Sequence, residues 1–198
     1  HSIKIENISD GIFSNVSEDG IIQNVYFTGT MNVGQGYKGP LGSNMSGAII
    51  NCYTDISGTG TCGFARRLTD AGIVSNSYSV SEGKAGAFFN QYGTNDTAGE
   101  GQLINTYWLE TLDNSVIPES ALVNSYSETK DYMKSLDFVS ALNENKGENG
   151  VSWGRNGNTG YPYFGESQDY NPGSTLPANK YTVKFTKFDN TVVTVENQ

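Results

Sequence analysis

Residues 47–53 read Gly-Ala-Ile-Ile-Asn-Cys-Tyr, and the last five of them form a pattern, apolar-x-Asn-x-Tyr, that occurs four more times in the chain. The other copies lie at residues 22–26, 74–78, 103–107 and 122–126. The asparagines of successive copies are 27, 25, 29 and 19 residues apart. They are Asn24, Asn51, Asn76, Asn105 and Asn124. Spacings of this length are typical of a solenoid, in which each repeat forms one coil and stacks on its neighbour.

Glycines mark a turn ahead of most copies. Four copies carry a glycine four residues before the asparagine, and the fifth has Ser120 there. The glycines are Gly20, Gly47, Gly72 and Gly101. A small-plus-apolar element such as Cys62-Gly63-Phe64 lies further upstream. Each repeat is therefore predicted to form a strand, a glycine turn and a second strand.

The tyrosine that ends each copy is expected to join a row along the stack. The five are Tyr26, Tyr53, Tyr78, Tyr107 and Tyr126. In a continuous strand the apolar residue, the asparagine and the tyrosine of a copy share one face. Because the residues between them are mixed and partly polar, we expect the uniform face to form the interior, with the asparagine amides bonded along the stack. The alternative is an exposed aromatic strip that stacks on sugar rings.

The segment from Gly39 to Tyr53 resembles the GLUG motif, a glycine-rich repeat with an Asn-Cys-Tyr core. That motif is found in large bacterial surface proteins and in the non-catalytic parts of IgA-cleaving metallopeptidases. The copies ending at Tyr26, Tyr78 and Tyr107 have longer turns, and the copy ending at Tyr126 keeps only its second half. The resemblance implies an all-β fold, a β-solenoid of stacked coils that carries no catalytic residues of its own.

The net charge and the composition of the chain exclude two classes of binding partner. The chain has 198 residues, a formal net charge of −9 and only 17% charged residues, so we expect it to repel nucleic acid and anionic membrane surfaces. No apolar run is long enough to insert into a membrane. Because the first residue is His1 and no signal segment follows it, we expect a fragment of a longer chain.

The two cysteines, Cys52 and Cys62, are too few for a disulfide scaffold and lack the spacing of a zinc site. Free cysteine is among the most buried residue types, so two buried thiols are the first interpretation. A single bridge between the two thiols is the alternative.

The chain lacks the residues that most catalytic sites and cofactor sites require. The only histidine is His1, which excludes internal Ser-His and Cys-His dyads and two-histidine metal motifs. No phosphate-binding glycine loop or calcium loop occurs, so neither cofactor nor metal is expected. A carbohydrate-active β-helix could still work without histidine, through carboxylates or through a basic residue with Ca²⁺. The residues available for it are Arg66, Arg67 and Asp70 in the third repeat. Asn95 and Asp96 are candidates for ligand binding, because they lie in the longest spacing between copies and insertions on one face of a solenoid often carry binding sites.

After the repeats of residues 1–127, residues 128–166 are predicted to form a helix followed by an aromatic strand. Apolar residues at helical spacing precede Trp153, and Ser135 is a candidate helix cap. The block resembles the ending that follows GLUG-type repeats in surface proteins of gut-type bacteria. We expect a short helical and aromatic C-terminal cap on the last coil, whose apolar end and open strand edge need cover.

A Pro- and Gly-bearing linker is predicted at 167–180, followed at 181–198 by a β-hairpin that turns at Asp189-Asn190. The hairpin faintly resembles the start of small β-rich spacer repeats in bacterial surface proteins. It either docks on the cap or opens another module.

Together these features predict a non-catalytic structural or adhesion module of a secreted or surface-anchored bacterial protein, located outside the cell. Its expected partners are the flanking domains of a longer chain and a host, matrix or glycan ligand. The alternative is a carbohydrate-binding or carbohydrate-cleaving β-helix.

Overall fold

The structure, a computed structural model, describes residues 2–8, 11–33, 38–69, 71–81, 86–93, 99–155, 160–165, 182–186 and 192–196. For residues 2–8, 182–186 and 192–196 it describes the course of the backbone alone.

Three parallel sheets are built from strands that recur in the same order along the chain. We number the sheets by that order and call each successive set of strands a coil. The first sheet contains β2 (Asn15–Val16), β5 (Asn44–Met45), β8 (Arg67–Leu68) and β11 (Gln91–Tyr92). The second contains β3 (Ile21–Gln23), β6 (Ala48–Ile50), β9 (Ile73–Ser75), β12 (Gln102–Ile104) and β14 (Leu122–Val123). The third contains β1 (Ser2–Ile8), β4 (Tyr26–Met31), β7 (Tyr53–Ser57), β10 (Tyr78–Ser79), β13 (Tyr107–Leu109) and β15 (Tyr126–Glu128).

The strands stack in register with the sequence repeat. In the third sheet each tyrosine of the pattern pairs with the tyrosine of the next coil, from Tyr26 to Tyr126. In the second sheet the apolar residues of the pattern pair in the same way, from Ile22 to Leu122. The chain is therefore mostly β, with stacked parallel strands consistent with a β-solenoid. The predicted strand, glycine turn and strand are present in the first four coils, whereas the fifth coil has Ser120 in place of the glycine and a 3₁₀ turn, Glu119–Ala121, before β14.

An asparagine corner separates the second sheet from the third in every coil. All five pattern asparagines have positive φ angles, between 43° and 57°. Asparagine tolerates this left-handed conformation better than most residues, because its short amide bonds locally.

The corner changes which side chains point inward. In the second coil Ile49, Cys52 and Thr54 are fully buried in the wall, whereas Tyr53 faces away from the coil interior. The prediction that the apolar residue, the asparagine and the tyrosine share an inner face is therefore wrong. It assumed an uninterrupted strand, and the left-handed residue shifts the two-residue alternation.

The main core fills the inside of the coils. It is made of apolar side chains stacked from neighbouring coils on all three sheets. Its fully buried members include Phe27, Leu41, Met45, Ile49, Cys52, Ile56, Phe64, Leu68, Val74, Phe88 and Leu103. Because each coil contributes few side chains, the core is stabilised by stacking between coils rather than within one coil.

The glycine turn brings backbones of adjacent coils close together. The N–H of Ala48 donates to the carbonyl of Gly20 at 2.8 Å. A Cβ on Gly47 would lie 2.1 Å from that carbonyl oxygen and 2.4 Å from the Ser17 oxygen. The recurring glycine is thus required by close approach of the coils.

The segment after the last coil forms helix α1 (Leu136–Asn145) and a short antiparallel pair, β16 (Trp153–Gly154) with β17 (Tyr163–Phe164). Two 3₁₀ turns, Glu119–Ala121 and Tyr132–Lys134, precede α1. The Ser135 hydroxyl accepts a hydrogen bond from the Phe138 N–H at 3.1 Å, so both the short helix and its cap are confirmed.

We call residues 129–165 the flank segment, because its hydrogen bonds reach several coils along the side of the stack. It bonds to Asn24 in the first coil, Asn51 in the second and Asn76 in the third. The sequence predicted that this segment caps the end of the last coil. These hydrogen bonds instead place it along the side of the first three coils, so the predicted position is wrong. The tyrosine sheet presents its own aromatic outer face, and the flank segment packs against it with Phe138, Trp153 and Phe164.

The C-terminal strands β18 (Thr182–Thr186) and β19 (Val192–Glu196) pair antiparallel, with Val183 opposite Val195. This agrees with the predicted hairpin, whose turn at Asp189-Asn190 lies outside the described residues.

Candidate functional site

The corner asparagines of the first three coils form a ladder of side-chain amides. The Asn51 Nδ2 donates to the Asn24 Oδ1, and the Asn76 Nδ2 donates to the Asn51 Oδ1, each at 2.7 Å. Asn51 and Asn76 are buried, where an unpaired amide would be costly. The expected bonding of amides along the stack is thus present across these three coils.

The same amides attach the flank segment. The Asn24 Oδ1 accepts from the Val151 N–H at 2.9 Å, and the Asn51 Nδ2 donates to the Val151 carbonyl at 3.0 Å. The Trp153 Nε1 donates to the Asn51 Oδ1 at 2.5 Å. The Asn76 Nδ2 also donates to the Leu142 carbonyl at 3.0 Å. One row of side chains therefore joins the coils to one another and to the segment beside them.

The tyrosine row lies next to this ladder on the outer face of the third sheet. The rings of Tyr26, Tyr53 and Tyr78 are stacked, with centroids 4.9 Å apart in each pair and interplanar angles of 8° and 4°. The 4.9 Å step matches the spacing between neighbouring strands. The row thus follows directly from the register of the sheet.

The flank segment covers this row. Phe138 meets the rings of Tyr78 and Tyr107 edge-on at 5.5 and 5.1 Å. Trp153 lies against Tyr53 and Tyr78 at 5.9 and 5.5 Å, and the Tyr78 hydroxyl donates to the Pro162 carbonyl. These side chains form a second apolar cluster, separate from the coil interior.

The row is therefore neither an inner wall of the coils nor an open sugar-binding strip. Burial raises the pKa values of the Tyr53 and Tyr78 hydroxyls above the ordinary range. A buried ring has no free face on which a sugar could stack. Only Tyr126, in the last coil, stays largely accessible, with 53% of its surface exposed.

Ser77 and Ser125, which follow the asparagine in the third and fifth coils, bond neighbouring coils from inside, whereas a uniform inner face would leave this position toward solvent. The Cys52 N–H donates to the Ser77 Oγ at 3.0 Å, and the Thr106 N–H donates to the Ser125 Oγ at 3.0 Å. The signal was available in the sequence, because this position holds small or β-branched residues in every copy.

Of the two third-coil arginines, Arg67 lies on the outer side of the first sheet, opposite the buried Leu68. The Arg67 Nε and Nη2 donate to the Gln91 Oε1 at 3.1 and 2.6 Å, which links two neighbouring coils. The Arg66 Nε is buried and has no hydrogen-bond partner among the described residues. Asp70, Asn95 and Asp96 lie outside the described residues, so the structure does not place the three other candidates.

Cys52 and Cys62 are both free and buried, which confirms the first interpretation over the bridge. Burial raises the pKa of each thiol to about 12. Both thiols stay protonated at neutral pH and are therefore poor nucleophiles and poor metal ligands. Within the part of the chain that the structure describes, no group of three or more His, Cys, Asp or Glu side chains could hold a metal ion.

The described helices are too short or too polar to cross a membrane. The rows of asparagine, tyrosine and small residues make contacts within the chain, and their chemistry is that of packing and hydrogen bonding. Comparison of the chain with known protein families, with curated proteins and with solved structures finds no match in any of the three.

Proposed function

We propose that this chain is a non-catalytic structural or adhesion module of a secreted or surface-anchored bacterial protein. In this proposal the coils form a β-solenoid that acts as a stiff spacer or platform, and the flank segment braces it along one side. The GLUG resemblance of residues 1–127 suggests the same setting, on the outside of a bacterial cell.

The observation that carries the proposal is that repeated side chains contact other parts of this chain. Asn51 and Tyr78, the most specific residues of the repeat, are buried and bonded to neighbouring coils and to the flank segment. Residues that form a catalytic or sugar-binding surface must instead be accessible to a substrate. A repeat whose characteristic residues in the second and third coils are engaged in contacts between coils and with the flank segment supports a mechanical role.

Limited proteolysis tests the mechanical part. With thermolysin under native conditions, we expect a resistant fragment that extends from the first coil to the end of the flank segment, because cleavage requires local opening of the chain. Rapid cleavage within the strands of the second and third coils would contradict a stiff spacer.

A carbohydrate-binding or carbohydrate-cleaving β-helix remains the second candidate. It is favoured by the outer side of the first sheet, where the Asn44 Nδ2 donates to the Asn15 Oδ1 at 2.7 Å and Arg67 bonds to Gln91. This polar row could hydrogen-bond to hydroxyl groups of an extended glycan.

A glycan array combined with a polysaccharide depolymerisation assay separates the two candidates. The structural role predicts no cleavage and no tight binding by the wild-type chain. Specific binding that is lost in Arg67→Ala and kept in a matched Arg155→Ala variant would instead favour carbohydrate recognition on the first sheet.

A further inference from the structure

Among the described residues, no coil stacks on the last one, and the outer end of the stack is partly exposed. Its strands β14 and β15 are the edge strands of the second and third sheets. Val123 is 39% exposed, and Asn124 and Ser127 are also exposed. The residues at the position of Ser127 in the four earlier coils are buried. They are Phe27, Thr54, Ser79 and Trp108.

Backbone hydrogen bonds between coils follow one rule at the asparagine corner. The N–H of each asparagine donates to the carbonyl of the residue that precedes the asparagine in the next coil. The donor–acceptor pairs are Asn24 to Ile50 at 3.1 Å, Asn51 to Ser75 at 3.0 Å, Asn76 to Ile104 at 3.0 Å and Asn105 to Val123 at 2.8 Å.

A second bond returns in the opposite direction. The N–H of each tyrosine donates to the carbonyl of the residue after the asparagine in the preceding coil. The pairs are Tyr53 to Val25 at 3.2 Å, Tyr78 to Cys52 at 3.1 Å, Tyr107 to Ser77 at 3.0 Å and Tyr126 to Thr106 at 3.0 Å.

By the first rule the Asn124 N–H would donate to a sixth coil, and by the second the Ser125 carbonyl would accept from it. After Glu128 the chain instead enters the flank segment, which bonds to the first three coils. Among the described residues, no further coil follows β15. The open end therefore presents the donor and the acceptor that join every earlier pair of coils.

We propose that this end binds an extended strand of another polypeptide, added in parallel, that carries the signature apolar-x-Asn-small-Tyr. The strand would accept from the Asn124 N–H and donate to the Ser125 carbonyl, and its tyrosine would lie in register with Tyr126. The argument is continuity: the new contact repeats the interface between coils, which this chain already makes four times.

The corner makes the site selective. β14 and β15 contain only two and three residues, and a left-handed Asn124 with φ 48° lies between them. A plain β-strand can follow one of these short edges and then diverges from the other. A strand with its own left-handed asparagine can follow both edges, which is the arrangement of strand addition with specific side-chain requirements.

The probe is a synthetic peptide of residues 71–80, Ala-Gly-Ile-Val-Ser-Asn-Ser-Tyr-Ser-Val, labelled with a fluorophore. Its binding to the full chain is measured by fluorescence anisotropy. The control peptide carries Asn76→Val, because a β-branched residue disfavours the left-handed corner. We expect saturable one-to-one binding of the first peptide and at least about tenfold weaker binding of the control.

Two variants of the chain locate the site. In β15 the Tyr126 N–H and the Glu128 carbonyl bond to the fourth coil, so the Ser127 N–H points toward the open side. Ser127→Pro removes that donor, and Val123→Lys adds a charge at the exposed edge. Each should weaken peptide binding at least about tenfold, with the melting temperature of the free chain reporting whether the variant folds.

The proposal is overturned if the peptide fails to bind at about 1 mM, or if both folded variants bind it as well as the wild type. Equal binding of the Asn76→Val peptide would also overturn it, because recognition would not depend on the corner. A further outcome would also overturn the proposal: the chain self-associates, Ser127→Pro abolishes that self-association, and the peptide does not bind. The occupant of the edge would then be a second folded copy of the chain. None of these outcomes depends on the glycan or proteolysis results.

Discussion

Single asparagines at the corners combine two roles that other residues cannot combine. Asn51 has a φ of 53°, accepts hydrogen bonds from both Asn76 and Trp153, and donates to Asn24 and Val151. Glycine could adopt the same backbone conformation without the amide, and glutamine could supply an amide without the conformational tolerance. This double requirement accounts for asparagine at the corners of the first three coils, and at Asn105 and Asn124 the φ angles of 50° and 48° favour the same residue.

Substitution of Asn51 by alanine should therefore cost much more than substitution of Asn124. We expect Asn51→Ala to lower the free energy of unfolding by about 3–5 kcal/mol, because it adds backbone strain and leaves buried groups unpaired. Asn124 has φ 48° but is exposed, so Asn124→Ala should cost only ~1 kcal/mol.

Urea denaturation of both variants measures the difference, and Asn51→Gly separates strain from lost hydrogen bonds. Equal losses for the two alanine variants would show that the buried amide ladder contributes nothing to stability.

The glycine turn gives a second prediction at this scale. In Gly47→Ala the new Cβ would collide with two carbonyl oxygens of the preceding coil, so we expect a loss of more than about 3 kcal/mol. Gly147, after α1, has φ 72° and no atom within 4 Å of a built Cβ. Gly147→Ala should therefore show the conformational strain alone, about 1 kcal/mol. Thermal unfolding of both variants checks this ordering, and a tolerated Gly47→Ala would mean that the coils can move apart.

Among the elements, α1 and the β16–β17 pair depend on the third sheet for their stability. α1 has only ten residues and β16 only two, and such short elements are marginal in isolation. They bury Phe138, Leu142 and Trp153 against the tyrosine row. In turn these side chains shield the tyrosine rings from water. Without the flank segment the third sheet would expose an aromatic patch to solvent.

Phe138→Ala tests this mutual dependence. Phe138 is fully buried between Tyr78, Tyr107 and Tyr132, and its loss should cost about 3–5 kcal/mol. The matched variant Leu136→Ala lies on the same helix with 55% of its surface exposed, so its cost should stay below about 1 kcal/mol. Unfolding followed by tryptophan fluorescence reports on Trp153 next to the row and on Trp108 in the main core. Similar stability of the two variants would mean that the flank segment adheres only loosely.

For the whole molecule, stability should vary along the stack. Each inner coil is stabilised by the two coils that it touches. The flank segment donates to or accepts from side chains of the first three coils, and its Phe138 packs on Tyr107 of the fourth. The second and third coils have coils on both sides and the flank segment beside them. The last coil has one neighbouring coil and an open edge.

Hydrogen exchange measured by mass spectrometry should show this gradient. We expect the slowest exchange at residues 48–57 and 73–79, and the fastest exchange within the coils at residues 122–128. Uniform protection from the second coil to the fifth would contradict stacking by nearest neighbours, and would mean that the stack opens only as one unit.

Much of the architecture could be predicted because the repeat has a translational symmetry. Asparagine spacing alone indicated coils, and the register of Tyr26, Tyr53 and Tyr78 follows from it. The candidate site was less predictable, because Arg66 and Arg67 were chosen for charge, whereas the structure engages Arg67 with Gln91 of the next coil. Contacts across 102 residues, such as that of Trp153 with Asn51, leave no periodic signal in the chain.

The sequence by itself determined the number of repeats and the glycine turn between two strands, because each of these depends on residues close together in the chain, whereas the left-handed asparagine corner is visible only in the structure. Only the tertiary structure decided which way the tyrosines face and what covers them. A left-handed corner residue reverses the alternation of a strand, and the flank segment then packs against the aromatic face that this reversal turns outward. The direction of the tyrosines and the position of the flank segment both depend on contacts between residues far apart in the chain. A local sequence pattern carries no information about those contacts.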